Sequence, residues 1–237
     1  MKLPVTGGAE KRSYVRGMFA AIAPSYDLLN HVLSLNADRG WRRRAVDLLG
    51  WERAPAGRYL DLCAGTLDLA AELARRPGFQ GQVVGADFVV PMLALGRNKA
   101  ERMLPVTADA LELPFADGSF EGATVGFGVR NLSDLAAGFR EVARVLKPGA
   151  KYAVLECSQP PCKPMRALYY FYFTKVLPFI GSFVSKHDNA YTYLPESVLA
   201  FPGPDEVARV MATNGFKDVK YERLFGGIVA IHVGVRA

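Results

Sequence analysis

Arg58–Ala74 reads RYLDLCAGTLDLAAELA, and the rest of the chain is arranged around it. An apolar run through Tyr59, Leu60 and Leu62 ends in a small-residue turn, Cys63-Ala64-Gly65-Thr66, after which the apolar spacing becomes helical. That succession predicts a strand, a tight turn and a helix N-terminus, which together aim free backbone N–H groups and a positive dipole end at a ligand. Glycine suits such a turn because it takes a positive φ freely and lets a ligand approach the backbone. Farther on, Val83-Val84-Gly85-Ala86 ends in Asp87, at the spacing of about 22 residues expected of a carboxylate that grips a ribose diol. These residues point to a ligand with a ribose and an anionic group. The plainer alternative is a strand–turn–helix that binds nothing, since the turn keeps a single glycine.

Outward from this stretch, strands and helices alternate. Strands are expected at Tyr59–Leu62, Gln82–Ala86, Leu104–Thr107, Gly122–Phe127 and Lys151–Cys157. Helices are expected at Asp68–Arg75, Pro91–Arg102 and Leu135–Leu146, the last stopped by Lys147-Pro148-Gly149. Short apolar strands alternating with helices make a mostly parallel sheet covered on both faces. The tail breaks the rhythm. After a helix over Glu206–Asn214, the runs Lys217–Leu224 and Ile228–Val235 flank Phe225-Gly226-Gly227, which reads as a hairpin. Sheets that bind nicotinamide dinucleotides generally continue parallel through a sixth strand. A terminal antiparallel hairpin points instead to the S-adenosylmethionine-dependent methyltransferase variant of the α/β fold.

Ahead of the first strand, Arg12–Leu49 has helical spacing (Val15, Phe19, Ile22; Leu28-Leu29; Val32-Leu33; Trp41, Val46, Leu49), interrupted at Pro24. Residues 1–50 are therefore expected to form a helical lid on the α/β domain of residues 51–237, within a single folded unit. An aromatic insertion lies at about 160–200, and its stretch Tyr169–Val184 holds Lys175 and Pro178 and is shorter than the ~20 residues that span a bilayer. It suits either an isoprenoid chain and the membrane surface, or the packing of a helical insertion.

Of the 237 residues, half are hydrophobic and 22% charged, enough to bury a sizeable core. The net charge of +6 favours anionic partners: nucleic acid, lipid headgroups or an anionic cofactor. Arg39 and Arg42-Arg43-Arg44 form its densest cluster, either a solvated helix face or a phosphate contact. Cys63, Cys157 and Cys162 are too few for a disulfide framework and match no metal spacing. With no signal segment read at the N-terminus, a cytoplasmic location is expected.

In an open α/β sheet, ligands sit beyond the carboxyl ends of the strands. Those ends carry Asp61, Gly65, Thr66 and Asp68, then Asp87, then Asp109-Ala110, then Gly126–Asn131, then Glu156–Pro160. Asp61 either orders the turn or binds a cationic amino group. Asp109 can accept from the exocyclic amine of a purine, with a backbone N–H near Ala110 pairing a ring nitrogen. Each acid has the simpler role of a helix N-cap. Arg130 is permanently charged, so it either stabilises an oxyanion or pairs with an acid such as Asp134.

Several segments resemble the quinone-biosynthesis C-methyltransferases (the UbiE/MenG, or COQ5-like, family). They are Tyr14–Arg44 (YVRGMFAAIAPSYDLLNHVLSLNADRGWRRR), Leu60–Leu69, ADALELPFADGSFEGATVGFGVRNLSD from Ala108 and REVARVLKPGAKYAVLECSQP from Arg140. YTYLPESVLAFP from Tyr191 and GGIVAIHVG from Gly226 belong with them, and the FG-x-RN and YLPES pieces are specific to this family. The resemblance spans nearly the whole chain. It implies a class I methyltransferase, an α/β Rossmann-like fold with a seven-stranded sheet whose last strand is antiparallel, and S-adenosyl-L-methionine as cofactor. The implied substrate is a polyprenyl quinol, demethylmenaquinol or the benzoquinol precursor of ubiquinone. Thr66, Asp87, Asp109 and Ala110 would contact the cofactor, with Asp61, Gly65 and Gly126 beside them. Tyr26, Asn30, Arg130 and Asn131 would face the quinol, Arg130 stabilising a phenolate while Asn131 and Tyr26 orient hydroxyls; no metal is called for.

Two positions depart from the family pattern. The usual GTGD turn is GTLD here, so that Leu67 could crowd the methionine end of the cofactor or demand a backbone that is not left-handed. Gly126 stands where a cofactor-contacting serine is expected, leaving only backbone to make the contact. A transient peripheral contact with the membrane and a homodimer are further expectations, and no nucleic-acid partner is expected. Gly-Val-Arg-Asn after the fourth strand is not the Pro-Pro-aromatic segment of enzymes that methylate a flipped base amine. The remaining alternatives are methylation of another lipophilic or aromatic small molecule and a non-catalytic homologue that keeps the fold.

Overall fold

The computed structural model describes residues 8–172 and 188–237, the first five residues of the second span (188–192) by backbone alone. Seven strands form one sheet: β1 (Arg58–Leu62), β2 (Gln82–Asp87), β3 (Met103–Thr107), β4 (Phe120–Gly126), β5 (Leu146–Cys157), β6 (Phe216–Leu224) and β7 (Val229–Arg236). Their order is β3-β2-β1-β4-β5-β7-β6. β1 to β5 run parallel, and β7 pairs antiparallel with both β5 and β6. The terminal hairpin is thus present, with its last strand inserted between β5 and β6. The order reverses at β1, the point at which α/β sheets open to ligands.

The central strands are buried on both faces. Tyr59, Leu60 and Leu62 of β1 pack with Val83, Val84 and Ala86 of β2 and Ala123 and Val125 of β4. One layer, with α6 (Leu135–Val145) and the helix Pro204–Ala212, joins Phe139, Val142, Met211 and Phe216 to Tyr152 and Phe120. The other joins α3 (Ala37–Leu49) and α4 (Asp68–Ala74) to β1, β5 and β7 through Trp41, Val46, Leu49, Leu69 and Ile231. The expected lid of residues 1–50 therefore divides. α1 (Ala9–Ile22) and α2 (Tyr26–Leu33), broken at Ala23-Pro24-Ser25, reach the carboxyl edge, whereas α3 is part of the layer that covers the sheet.

Two expected elements change length. α5 spans Val90–Gly96 and stops six residues short of Arg102, because Gly96 lies against the Thr66 carbonyl and the chain turns there to carry Lys99 back to the site. β5 starts at Leu146, ahead of the expected Lys151. The preceding helix ends at Val145, just ahead of Lys147-Pro148-Gly149, and these residues lie within β5 as an exposed irregularity between the pairs Phe120↔Leu146 and Gly122↔Lys151, where proline has no N–H to give the ladder.

The GTLD turn resolves the expectation about Leu67. Its backbone is left-handed after all, φ 65° and ψ 25°, and its side chain is fully buried. The side chain turns into the core between β2 and α5, where a Cβ on Gly85 would overlap Leu67 Cδ2 and one on Gly96 would press on Leu67 Cβ. Two glycines on neighbouring elements therefore make the space that the leucine fills.

Candidate active site

At the carboxyl ends of β1 to β4 lies a cleft of about 740 Å³, roofed by Arg12, Val15 and Phe19 of α1. Asp87, at the end of β2, accepts from the Gly65 N–H and the Val89 N–H, both at 2.8 Å. One carboxylate thus fixes the glycine turn (Gly65 φ 51°) and the start of α5 while still lining the cleft. Burial raises its carboxyl above the usual range, and the backbone N–H groups of Val89, Gly65 and Phe88 oppose that rise. Asp109, after β3, accepts from the Leu111 N–H at 2.9 Å and pairs with Arg12 of α1, so the roof is tied to the floor at this acid. Ala110 lines the cleft beside it. Gly126 does so by main chain, since a Cβ there would overlap Leu69.

The side chains of two residues expected here do not line the cleft. Asp61 is buried below the turn, accepting from the Ala70 N–H and the Thr124 hydroxyl, both at 3.0 Å. Burial lifts its carboxyl to about 7 against those two bonds. Of the two roles read for it, the contacts are those of ordering the turn. Thr66 is buried too, and its hydroxyl donates to Asp27 of α2 at 2.5 Å. Asp27 also accepts from Lys99 at 2.6 Å, Lys99 donates to Asp68 at 2.5 Å, and Arg42 stands 3.4 Å from Asp68. This chain of charges stitches α2 to the glycine turn and to the segment after α5.

A second, larger cavity of about 1160 Å³ adjoins the first, and Phe19, Tyr26 and Phe127 line both. Its other walls are mostly apolar: Met18, Ile22, Leu29 and Leu33 from the lid helices, Tyr169 and Tyr172 at the end of α7 (Lys163–Phe171), and Leu194, Ile228 and Val229. Burial raises the Tyr26 hydroxyl, and the neighbouring Asn30 side chain opposes that rise. Arg130, on the short helix Val129–Asn131 after β4, reaches this cavity. Its guanidinium donates to Glu156 at 2.8 Å and to the Phe127 carbonyl at 2.5 Å, while Glu156 also takes the Arg130 N–H at 3.2 Å. Burial works against that cation, but the Glu156 charge outweighs it and raises its pKa. The acid read as the alternative partner, Asp134, instead caps α6 through the Ala137 N–H at 2.9 Å. Asn131 faces the smaller cleft, accepting from the Tyr193 hydroxyl at 3.1 Å.

Three buried donors that line the larger cavity have no partner among the described residues: Asn30 Nδ2, Trp41 Nε1 and Arg130 Nε. Unsatisfied buried donors are rare and costly, of the order of 1–3 kcal/mol each. Three of them on one apolar cavity suit a ligand that is mostly hydrocarbon with a few acceptor oxygens.

Sequence reasoning missed several residues of this site. Lys11, only 5% exposed, donates to the carbonyls of Arg130 and Leu132 at 2.8 and 2.9 Å, binding α1 to the Arg130 turn. Burial, then the like charge of Arg130, pulls its amine down to about 8. Arg12, Trp41, Glu156 and Tyr193 were equally unassigned. Only the fold brings these positions together; no local motif marks them.

A profile of the ubiE/COQ5 methyltransferase family matches residues 7–236. The chain belongs to that family. Among its relatives it is 53% identical over 224 residues to a protein named demethylmenaquinone methyltransferase from Thermus thermophilus, covering 92% of this chain and all of the relative. It is 46% identical to a ubiquinone/menaquinone biosynthesis C-methyltransferase UbiE from a Geobacter species, covering 96% and 98%. The fold is similar to that of a SAM-dependent methyltransferase from Thermotoga maritima, described as a possible histamine N-methyltransferase. The TM-score is 0.64 at 17% identity, with 93% of this chain and 99% of that one covered. As a ubiE/COQ5 family member, the chain has a class I methyltransferase fold with seven strands. Among the described residues, no helix is long and apolar enough to cross a membrane.

Proposed function

We propose that this chain transfers a methyl group from S-adenosylmethionine to a ring carbon of a polyprenylated hydroquinone, with the naphthoquinol demethylmenaquinol as acceptor. The three unpartnered donors on an apolar cavity next to the cleft carry this reading, because a quinol ring offers two oxygens on an otherwise hydrocarbon molecule. The name of the relative with 53% identity supports the naphthoquinol over the benzoquinol.

The residues of the smaller cleft fit the cofactor. Asp87 keeps lone pairs beyond its two backbone bonds for ribose hydroxyls, Asp109 and Ala110 suit an adenine edge, and Gly65 and Gly126 leave the backbone open. When bound, S-adenosylmethionine supplies an electrophilic methyl group. The chain's own task is then to make the ring carbon a nucleophile and to aim it. A phenol ionises near 10, so the site must favour the phenolate near neutral pH. Arg130, held by Glu156 and with Nε unpartnered, lines the cavity as the cation that would stabilise the developing charge, and Tyr26 and Asn30 line it as groups that would orient a ring hydroxyl. Because α1 roofs the cleft and α2 walls the larger cavity, both lid helices keep water from the reacting pair.

Exposed apolar side chains stand on the outer faces of the elements that wall the larger cavity. Leu28 and Leu35 stand on and after α2, Leu168 and Phe171 on α7, and Phe225 at the hairpin, with Leu35 88% exposed. They support transient docking on the bilayer that holds the prenyl tail; most of the aromatic stretch Tyr169–Val184 lies outside the described residues. The test is acceptor choice in detergent and on liposomes. Demethylmenaquinol should exceed a 2-polyprenyl-6-methoxy-1,4-benzoquinol in kcat/KM, and Leu35→Ser/Phe225→Ser should lower turnover on liposomes but not in detergent. Equal loss in both media would remove the membrane contact, and transfer to neither quinol would remove the substrate.

A further inference from the structure

Methylation of a neutral hydroquinone by a sulfonium donor releases one proton. A C–CH3 bond forms as the donor's S–CH3 bond breaks, and the ring hydroxyl gives up its proton. The ring ketone that results returns to a phenol by moving the ring hydrogen to oxygen, with no further net loss. The walls of the larger cavity must therefore take one proton from the substrate and lose it to solvent in every turnover.

Few of those walls can do so. Burial raises the hydroxyls of Tyr26, Tyr169 and Tyr172, and it lifts Tyr193 and the Cys157 thiol to about 12, so all five hold their protons near neutral pH. Arg42 and Arg130 are cations. Among the described residues, Asp38 is the one carboxylate that lines this cavity. Its side chain is 3% exposed, and one residue connects it outward: His31 Nδ1 lies 3.0 Å from Oδ2 and 3.2 Å from Oδ1, while the His31 side chain is 26% exposed. Leu35 and Asn36, both left-handed, fold α3 back on α2 and bring these two residues together.

We propose that Asp38 and His31 form the route by which the quinol proton leaves the cavity, Asp38 receiving it from the ring hydroxyl and His31 passing it to solvent. This rests on the quinol reading above. The Ser34 hydroxyl donates to Asp38 at 2.7 Å, Arg42 pairs with it from the same helix, and Asp68 of α4 faces Arg42 from the other side. Burial raises the Asp38 carboxyl, but Ser34, Arg42 and His31 together outweigh it and hold it below the ordinary range. Such a carboxylate hands a proton on and does not store it. The partly exposed imidazole, with one ring nitrogen on Asp38, offers the exit.

The decisive variants are His31→Ala and Asp38→Asn, assayed for methyl transfer to demethylmenaquinol from pH 6 to pH 10. His31→Ala should lower kcat at pH 7 by ~30-fold or more, within the usual contribution of acid–base groups, with both KM values held. The deficit should shrink toward pH 10, where the quinol ionises unaided, and added imidazole should restore much of it at pH 7. Asp38→Asn should show the same pH-dependent deficit without rescue by imidazole. Unchanged kcat in His31→Ala across this range, or a loss that neither imidazole nor high pH repairs, overturns the route. A wild-type chain that methylates no quinol overturns the substrate reading and the route with it; failure of the variants alone leaves the substrate reading standing.

Discussion

The two adjoining cavities are built from different materials. The smaller cleft is built on the ends of β1 to β4 and the turns that follow them, beneath the α1 roof, and its key acids are clamped by backbone N–H groups of those turns. The larger cavity is assembled from side chains of α1, α2, α3, α7 and the hairpin, segments far apart in the chain. In the first, the strand ends dictate where a ligand group goes. In the second, the packing of separate helices does, through buried pairs such as Arg130–Glu156 and Lys11 on the Arg130 turn. The cleft should thus govern cofactor affinity and the cavity turnover, and variants can test whether these separate.

The largest separation is expected at Arg130. Arg130→Leu alone would strand the buried Glu156 carboxylate, at a cost of about 3–5 kcal/mol, so the informative variant is Arg130→Leu/Glu156→Gln. Steady-state kinetics should show kcat reduced by ~100- to 1,000-fold, as when an oxyanion donor is removed, while calorimetry finds S-adenosylmethionine bound almost as before. Asp87→Ala should do the reverse. Its cofactor Kd should rise by roughly 10- to 100-fold, the worth of charge-assisted hydrogen bonds, with kcat at saturation little changed. If both variants lose affinity and turnover alike, the cavities act as one site.

Leu67→Gly sharpens the contrast from the side of stability. Glycine relieves the left-handed backbone, worth about 1–2 kcal/mol, but removes a fully buried side chain whose loss costs about 2–5 kcal/mol. Chemical denaturation should show a net loss of roughly 1–3 kcal/mol, with cofactor Kd unchanged because the side chain points into the core. A tighter Kd would mean that the leucine does crowd the cleft.

The last contrast, read from a pH profile, concerns Asp61. Its folded-state pKa, about 7, lies above the unfolded value, so the native state binds an extra proton between the two. Its contribution to stability is whole at the acid end and is lost as pH rises through about 7. Asp61→Asn should remove that slope, so that its Tm gains on wild type between pH 5 and pH 8. Parallel Tm curves would contradict the burial argument.

The same contrast explains what could be read in advance. Strand ends carry local signals, so Gly65, Asp87, Asp109, Ala110 and Gly126 all line the cleft. The terminal hairpin was legible from Gly226-Gly227 between two alternating runs. The side chains of Asp61 and Thr66 turn away from the cleft to Ala70, Thr124 and Asp27, since a polar residue at a strand end can turn below the edge as easily as toward it. Trp41, Glu156, Lys11 and the His31–Asp38 pair were not assigned, since their meaning comes from packing between elements that no periodicity connects. The left-handed Leu67 was hidden for a related reason. Its compensation lies in Gly85 and Gly96, on other elements.

The central claim is that a methyl donor in the cleft faces a quinol ring in the cavity. Incubation of the wild-type chain with S-adenosylmethionine carrying a 13C-labelled methyl group and reduced demethylmenaquinone, read by carbon NMR of the extracted quinone, tests it most directly. The account predicts one labelled methyl on a ring carbon. A labelled methoxy signal, or no label in the quinone while the protein binds the cofactor, would contradict it.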